Sequence, residues 1–134
     1  MSKLPTTSPT PTPETATFWE ATKREVLLVP RCDACGATFW YPRSFCPFCH
    51  ATSISWLEAS GEGAIYSFAV SMRGWGEWAD ATPYVVAYVE LDEGPRMLTN
   101  IVECDPDELE IGRRVAVVFD QAGEYKYPRF RPSV

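Results

Sequence analysis

The chain has 134 residues, of which 46% are hydrophobic and 13% aromatic, so one ordinary domain or two very small ones, with a packed core, are expected. It has no run of about 18 apolar residues and opens on MSKLPTTSPTPTPE without an apolar stretch, so neither a membrane span nor a secretory signal is expected and the chain reads as cytoplasmic. A formal net charge of −6 and a pI near 4.8 argue against a generic nucleic-acid surface, whose affinity comes from Lys and Arg against phosphate.

Residues 1–13 are Thr, Ser and Pro with hardly an apolar group. They bury too little to offset the entropy of ordering, so a disordered tail is expected. Pro13 and Glu14 suit a helix start, with Thr10 or Thr12 as cap, and a short amphipathic helix is predicted from about Glu14 to Arg24. Phe18, Ala21 and Val26 fall near one face of it, beside Trp19. A helix that short is marginal in water, so its aromatics must dock.

Next comes RCDACGATFWYPRSFCPFCH, with Cys32 and Cys35 in one C-x-x-C pair and Cys46 and Cys49 in another. Two such turns can aim four thiolates at one ion in a tetrahedral site, and a reducing compartment favours metal over disulfides. A single structural Zn2+ is the leading reading; iron, redox thiols and metal-free packing are the alternatives. Four sulfur ligands leave no open coordination position, so the site reads as a staple rather than a catalyst. Gly36 and His50 follow the two pairs, where a knuckle backbone needs positive φ. His50 could also replace Cys49 as a ligand. Residues 14–55 form the helix-and-ribbon unit of this reading, with GATFWYPRSF as a hairpin between the knuckles. Phe39, Trp40 and Tyr41 would pack that hairpin onto the helix.

Residues 56–134 read as a barrel. SWLEASGEGAIYSFAVSM is a turn and a long strand, where Gly61 and Gly63 allow a bend or bulge. PYVVAYVELDEG and RMLTNIVEC pair as a hairpin around Asp92, Glu93 and Gly94. DPDELEIG is a helical turn capped by Asp105 and stopped by Gly112; RRVAVVFD and YKYPRF supply the last strands. The fold class is therefore mainly β: a helix, metal knuckles, then a five-stranded oligonucleotide/oligosaccharide-binding (OB) fold barrel.

No catalytic set emerges. His50, the sole histidine, is tied beside the knuckle, and acids flank Cys104, which raises a thiol pKa rather than activating it. There is no P-loop, dinucleotide fingerprint or H-E-x-x-H. Trp75 and Trp78 sit in a loop between strands; partner contact, core capping and base stacking are their readings, in that order. Phe18, Trp19, Phe39, Trp40, Trp75 and Trp78 together exceed what so small a domain readily buries, which points to an interface.

FWEATKREVLLVPRCDACGATFWYPRSFCPFC, SGEGAIYSFAVSMRG, GRRVAVVFD and YPRFRP together resemble the DUF35 family, most specifically in Pro42 to Cys49 and Gly61 to Phe68. The likeness runs from Phe18 to Pro132 and departs at His50, where Gly is commoner. It implies an OB-fold protein with an N-terminal helix and a rubredoxin-like zinc ribbon. It further implies a non-catalytic subunit of a thiolase-fold enzyme, a thiolase or a thiolase-like aldolase of steroid side-chain or fatty-acid breakdown. The expected assembly is a heterotetramer with two copies of each chain, with a MaoC-like hydratase as a further partner in some members. Acyl-CoA is the implied ligand. Its phosphates and adenine call for a cation beside an aromatic ring, a pairing offered by Arg43, Arg73 and Arg129, although each is individually read first as an ordinary surface arginine. A nucleic-acid-binding module and a stand-alone acyl-CoA enzyme are the competing readings. Binding of random single-stranded DNA would support the first, and turnover by the purified chain the second.

Overall fold

The computed structural model describes residues 4–133; Met1 to Lys3 of the expected tail lie outside the described residues. The helix forms as α1, Ala16–Thr22, within the predicted span. Its N-cap is Thr15 rather than Thr10 or Thr12, and the Thr15 hydroxyl accepts the Thr12 N–H at 2.9 Å instead of capping the helix. Past its C-cap, Lys23, the chain turns at Glu25, which takes a left-handed φ of 57° while the Val26 N–H reaches back to the Ala21 carbonyl. Phe18, Trp19, Ala21 and Thr22 are buried, and Trp19 meets Tyr127 edge-on with ring centroids 5.5 Å apart.

Two strands, β1 (Leu28–Cys32) and β2 (Ile54–Glu58), pair antiparallel from Leu28↔Glu58 to Cys32↔Ile54 and frame the cysteines. The hairpin expected at GATFWYPRSF is not formed: the segment keeps one bridge, Arg31↔Thr38, and is otherwise irregular. Pro42 and Pro47 have no N–H to give a ladder, and the knuckle turns take up the backbone groups on either side. Within the loop Phe39 is buried and Trp40 stacks edge-on against Phe18 at 5.0 Å, as expected, but Tyr41 points outward.

The remaining strands are β3 (Glu62–Ser71), β4 (Tyr84–Leu91), β5 (Arg96–Ile101), β6 (Arg114–Ala122) and β7 (Tyr125–Pro132). They close in the order β3-β4-β5-β7-β6, the five-stranded barrel expected of an OB fold. Closure between β5 and β7 is slight, a single parallel pair, Ile101↔Phe130. The register of β3 against β4 slips between Ile65 and Ser67, a bulge at Tyr66. Gly63 lies where a Cβ would stand 2.4 Å from the Glu90 carbonyl oxygen, so the close crossing of β3 over β4 requires glycine. Asp105 caps the 3-10 turn Pro106–Glu108 by accepting the Asp107 N–H, as predicted.

Ile65, Val85, Val89, Leu91, Val115 and Phe130 fill the barrel, and Phe18, Trp19, Leu27 and Val29 belong to the same continuous core. Helix, ribbon base and barrel are thus packed against one another across residue 55. At the other junction the Thr38 hydroxyl donates to the Glu93 carbonyl at 2.9 Å, and the Ser60 N–H to the Glu93 carboxylate at 2.9 Å, tying the β4–β5 turn to the ribbon. Within the segment expected to be disordered, two backbone carbonyls meet barrel side chains: Arg129 donates to the Pro5 carbonyl at 2.7 Å and the Tyr127 hydroxyl to that of Thr7. Composition alone misses this because the contacts are made by backbone carbonyls, which every residue carries. No described helix is long and apolar enough to cross a membrane.

Candidate metal centre and surrounding surfaces

The two knuckles are built alike. The Cys32 N–H donates to Ala37 and the Gly36 N–H to the Cys32 carbonyl; the Cys46 N–H donates to Ala51 and the His50 N–H to the Cys46 carbonyl. Gly36 has φ 78° and His50 φ 66°, so both occupy the left-handed position their spacing predicts. The turns bring the four sulfurs within 4.8 Å of one another, with Cys32 Sγ to Cys49 Sγ at 3.5 Å and Cys35 Sγ to Cys46 Sγ at 3.7 Å. A tetrahedral ion with metal–sulfur bonds of about 2.3 Å requires sulfur–sulfur edges of about 3.8 Å. A disulfide requires about 2.05 Å. The donors therefore fit a four-thiolate metal site and form no disulfide.

The local electrostatics agree. Burial pushes the Cys46 thiol up, but backbone N–H groups of Cys49 and Phe48 outweigh it and bring it to about 7. At Cys49 the Ala51 N–H acts downward, yet sharing protons with Cys32 and the other sulfurs, together with burial, drives it to about 12. Four thiols this close do not all ionise without a cation among them. His50 is exposed and is not part of the cluster. Cys104 lies apart; burial, then Asp105, pushes its thiol up, the direction its sequence neighbours suggested.

The three arginines differ in their surroundings. Arg43 is exposed beside the ribbon, its Nε donating to the Tyr41 carbonyl at 3.4 Å, and Arg73 is exposed in the β3–β4 loop. Arg129 is not an open cation: its side chain is 5% exposed and its Nη1 lies 2.7 Å from Asp120 Oδ2, itself 7% exposed. The pattern YKYPRFRP places Arg129 and Phe130 on successive positions of β7, and both are buried.

The aromatics divide in the same way. Phe18 and Trp19 are 2% and 9% exposed inside the chain's own core, and Trp40 packs on Phe18, so they do not form a free surface. Trp75 is 84% exposed, beside Met72 at 72%. Trp78 is half-buried against Tyr84, ring centroids 4.7 Å apart. What the sequence reading missed is the outer face of the barrel. Val86 and Tyr88 of β4 and Leu98 of β5 are exposed on it. The strict alternation in YVVAYVEL could have revealed it, since alternate positions of β4 point outward.

Residues 19–55 match the model of the ChsH2 rubredoxin-like zinc ribbon domain, and residues 56–120 that of the ChsH2 C-terminal OB-fold domain. A DUF35 domain-containing scaffold protein of Methanothermobacter thermautotrophicus is 41% identical over 113 residues, spanning 83% of this chain and 85% of that protein. A probable enoyl-CoA hydratase alpha subunit of Thermomonospora curvata is 41% identical over 119 residues, 87% of this chain but 37% of that longer protein. Among solved structures, the Ltp2-ChsH2(DUF35) aldolase contains a chain 38% identical to this one, with a TM-score of 0.83 over 94% of this chain and 99% of that one.

Proposed function

The chain belongs to the DUF35 family, with ChsH2-type zinc ribbon and OB-fold domains, and from that premise we propose that it is the non-catalytic scaffold subunit of a thiolase-fold acyl-CoA enzyme of the aldolase kind. The observation that carries the reading is the end-to-end likeness to the DUF35 chain of an aldolase, which leaves neither chain with a large unmatched part. The name scaffold protein given to relatives is consistent with it. The longer hydratase subunit has most of its chain outside the match, so its activity is not carried over.

The four cysteines take one zinc ion, which holds the ribbon and supplies no chemistry because all four positions are filled by protein. Of the apolar residues left in solvent, Met72, Trp75, Val86, Tyr88 and Leu98 serve the partner, whose dimer binds two copies of this chain in the cytoplasm. Arg43 and Arg73 are the cations still available to an acyl-CoA at the joint surface; Arg129 is withdrawn from that role by its buried pairing. The test is co-expression with a thiolase-fold aldolase of the same host, followed by size-exclusion chromatography with light scattering. A two-plus-two complex with aldolase turnover is expected. A partner that elutes alone and is fully active refutes the reading.

A further inference from the structure

The segment from Leu4 to Ser8 is held on the barrel in an unusual way. It belongs to no strand and makes no ladder with one. Its attachment is instead by side chains of the barrel reaching its carbonyls. The buried Arg129 donates through Nη2 to the Pro5 carbonyl at 2.7 Å, and the Tyr127 hydroxyl donates to the Thr7 carbonyl. Tyr127 and Arg129 are two apart on β7, as Pro5 and Thr7 are two apart in the segment, so donor and acceptor spacings match. At one end Leu4 lines a hollow with Tyr84, Val85 and Ile101. At the other, Ser8 lies so close over the β6–β7 turn that a Cβ on Gly123 would stand 2.5 Å from the Ser8 hydroxyl. Between them a cavity of about 250 Å³ remains, walled by Pro5 and Thr7 on one side and Trp78, Leu98 and Asn100 on the other.

This is the β4–β5 side of the barrel, flanked by the β3–β4 and β6–β7 loops, the face on which OB folds take ligands. Here the one charged residue lining the cavity, Arg129, is paired with Asp120, and two side-chain donors, Arg129 and Tyr127, reach backbone carbonyls, which suits an uncharged peptide rather than a phosphodiester. We infer that this cleft is a peptide groove and that residues 4–8 are its tethered occupant, displaceable by a segment of a partner protein with the same chemistry. The fitting segment is uncharged and proline-containing. It places an apolar side chain in the Tyr84 hollow, offers its next carbonyl to Arg129 and the carbonyl two further on to Tyr127, and has a small residue over Gly123. Proline suits it because it needs no N–H of its own and is already ordered before binding. The inference does not depend on the thiolase reading, since any partner presenting such a segment satisfies it.

The tether sets what should be measured. A short linker gives the resident segment an effective concentration on the order of 1 mM. A peptide that binds the vacant groove with Kd about 0.1 mM would then bind the intact chain about tenfold more weakly. The chain is made full length with a specific protease site inserted between Thr10 and Pro11, folded, and cut. Fluorescein-labelled LPTTSPTP is then titrated by anisotropy into cut and uncut protein. Saturable binding to the cut chain is expected, at least fivefold tighter than to the uncut one. Leu4→Asp in the peptide and Tyr127→Phe in the chain should each weaken it several-fold. Equal affinity for cut and uncut protein, or no binding to a cut chain with an unchanged circular dichroism spectrum and metal content, overturns the inference. So does unfolding of the chain on cutting, which would make the segment part of the core rather than an exchangeable occupant.

Discussion

Arg129→Leu is the substitution that best separates a buried arginine from a surface one. Its Nη1 sits 2.7 Å from Asp120 Oδ2, with the two side chains 5% and 7% exposed, and Nη2 holds the Pro5 carbonyl. Removing the cation breaks the buried ion pair that Asp120 makes with Arg129, a loss of about 3–5 kcal/mol. A domain of this size has on the order of 5–15 kcal/mol in total. With a urea dependence of about 2 kcal/mol per M, the unfolding midpoint should fall by roughly 2 M. Urea melts followed by tryptophan fluorescence read this directly. The double variant Asp120→Leu with Arg129→Met should regain much of the loss, because both buried charges are then gone. Cutting the chain after Thr10, which gives up the contacts of Leu4, Pro5, Thr7 and Ser8 but leaves the Arg129–Asp120 pair in place, should cost less than the single substitution. A midpoint shift equivalent to less than about 1 kcal/mol would mean that Arg129 behaves as an exposed ion pair and would refute the buried-pair reasoning.

Three further outcomes follow from the same coordinates. Native mass spectrometry should find one metal ion per chain, lost in Cys46→Ser, and a strong chelator should melt the ribbon signal; a folded, metal-free wild-type chain would contradict this. Gly63→Ala puts a Cβ 2.4 Å from the Glu90 carbonyl oxygen and should cost about 1–3 kcal/mol or more in thermal or urea unfolding, because backbone and not a flexible side chain must yield. Trp75→Ala, at a position 84% exposed, should change stability by no more than about 0.5 kcal/mol. It should nonetheless weaken the partner complex about 30-fold in titration calorimetry, the signature of an anchor residue; an unchanged affinity would move the interface elsewhere.

The metal centre was legible from sequence because it is local. Two C-x-x-C turns, each followed by a residue able to take positive φ, specify their own geometry, and Gly36 and His50 adopt it. The barrel strands were legible for a similar reason, from alternation in β4 and from glycines at the β3 crossing. The hairpin expected between the knuckles rests on the length of the segment, which says nothing of its backbone donors. Pro42 and Pro47 cannot join a ladder, and β1 finds its partner in β2, more than twenty residues away. The contacts of Pro5 and Thr7 are hidden from a local reading because their partners, Arg129 and Tyr127, lie at the far end of the chain.

The aromatic and basic side chains show where sequence reasoning runs out, and why. An excess of large apolar residues implies an interface, but the residue type does not say which members of the set are left over. The choice falls to the core: α1 turns Phe18 and Trp19 onto β7 and Trp40 covers Phe18, which uses up three of the expected interface residues. The surplus therefore moves to side chains that alternation points outward, Val86, Tyr88 and Leu98, and to the tip of the β3–β4 loop at Met72 and Trp75. The arginines follow the same rule. Arg129 enters the protein because β7 must bury one face at the narrow β5–β7 seam and Asp120 is there to pair with it. Arg43 and Arg73, both in loops, stay in water. A binding surface in a domain this small is thus what remains after the core has taken its share. The apolar remainder includes the outer β4–β5 face and the Trp75 loop, and also Phe48 beside the second knuckle at 68% and Ile111 at 71% exposed, so exposure by itself does not choose among them.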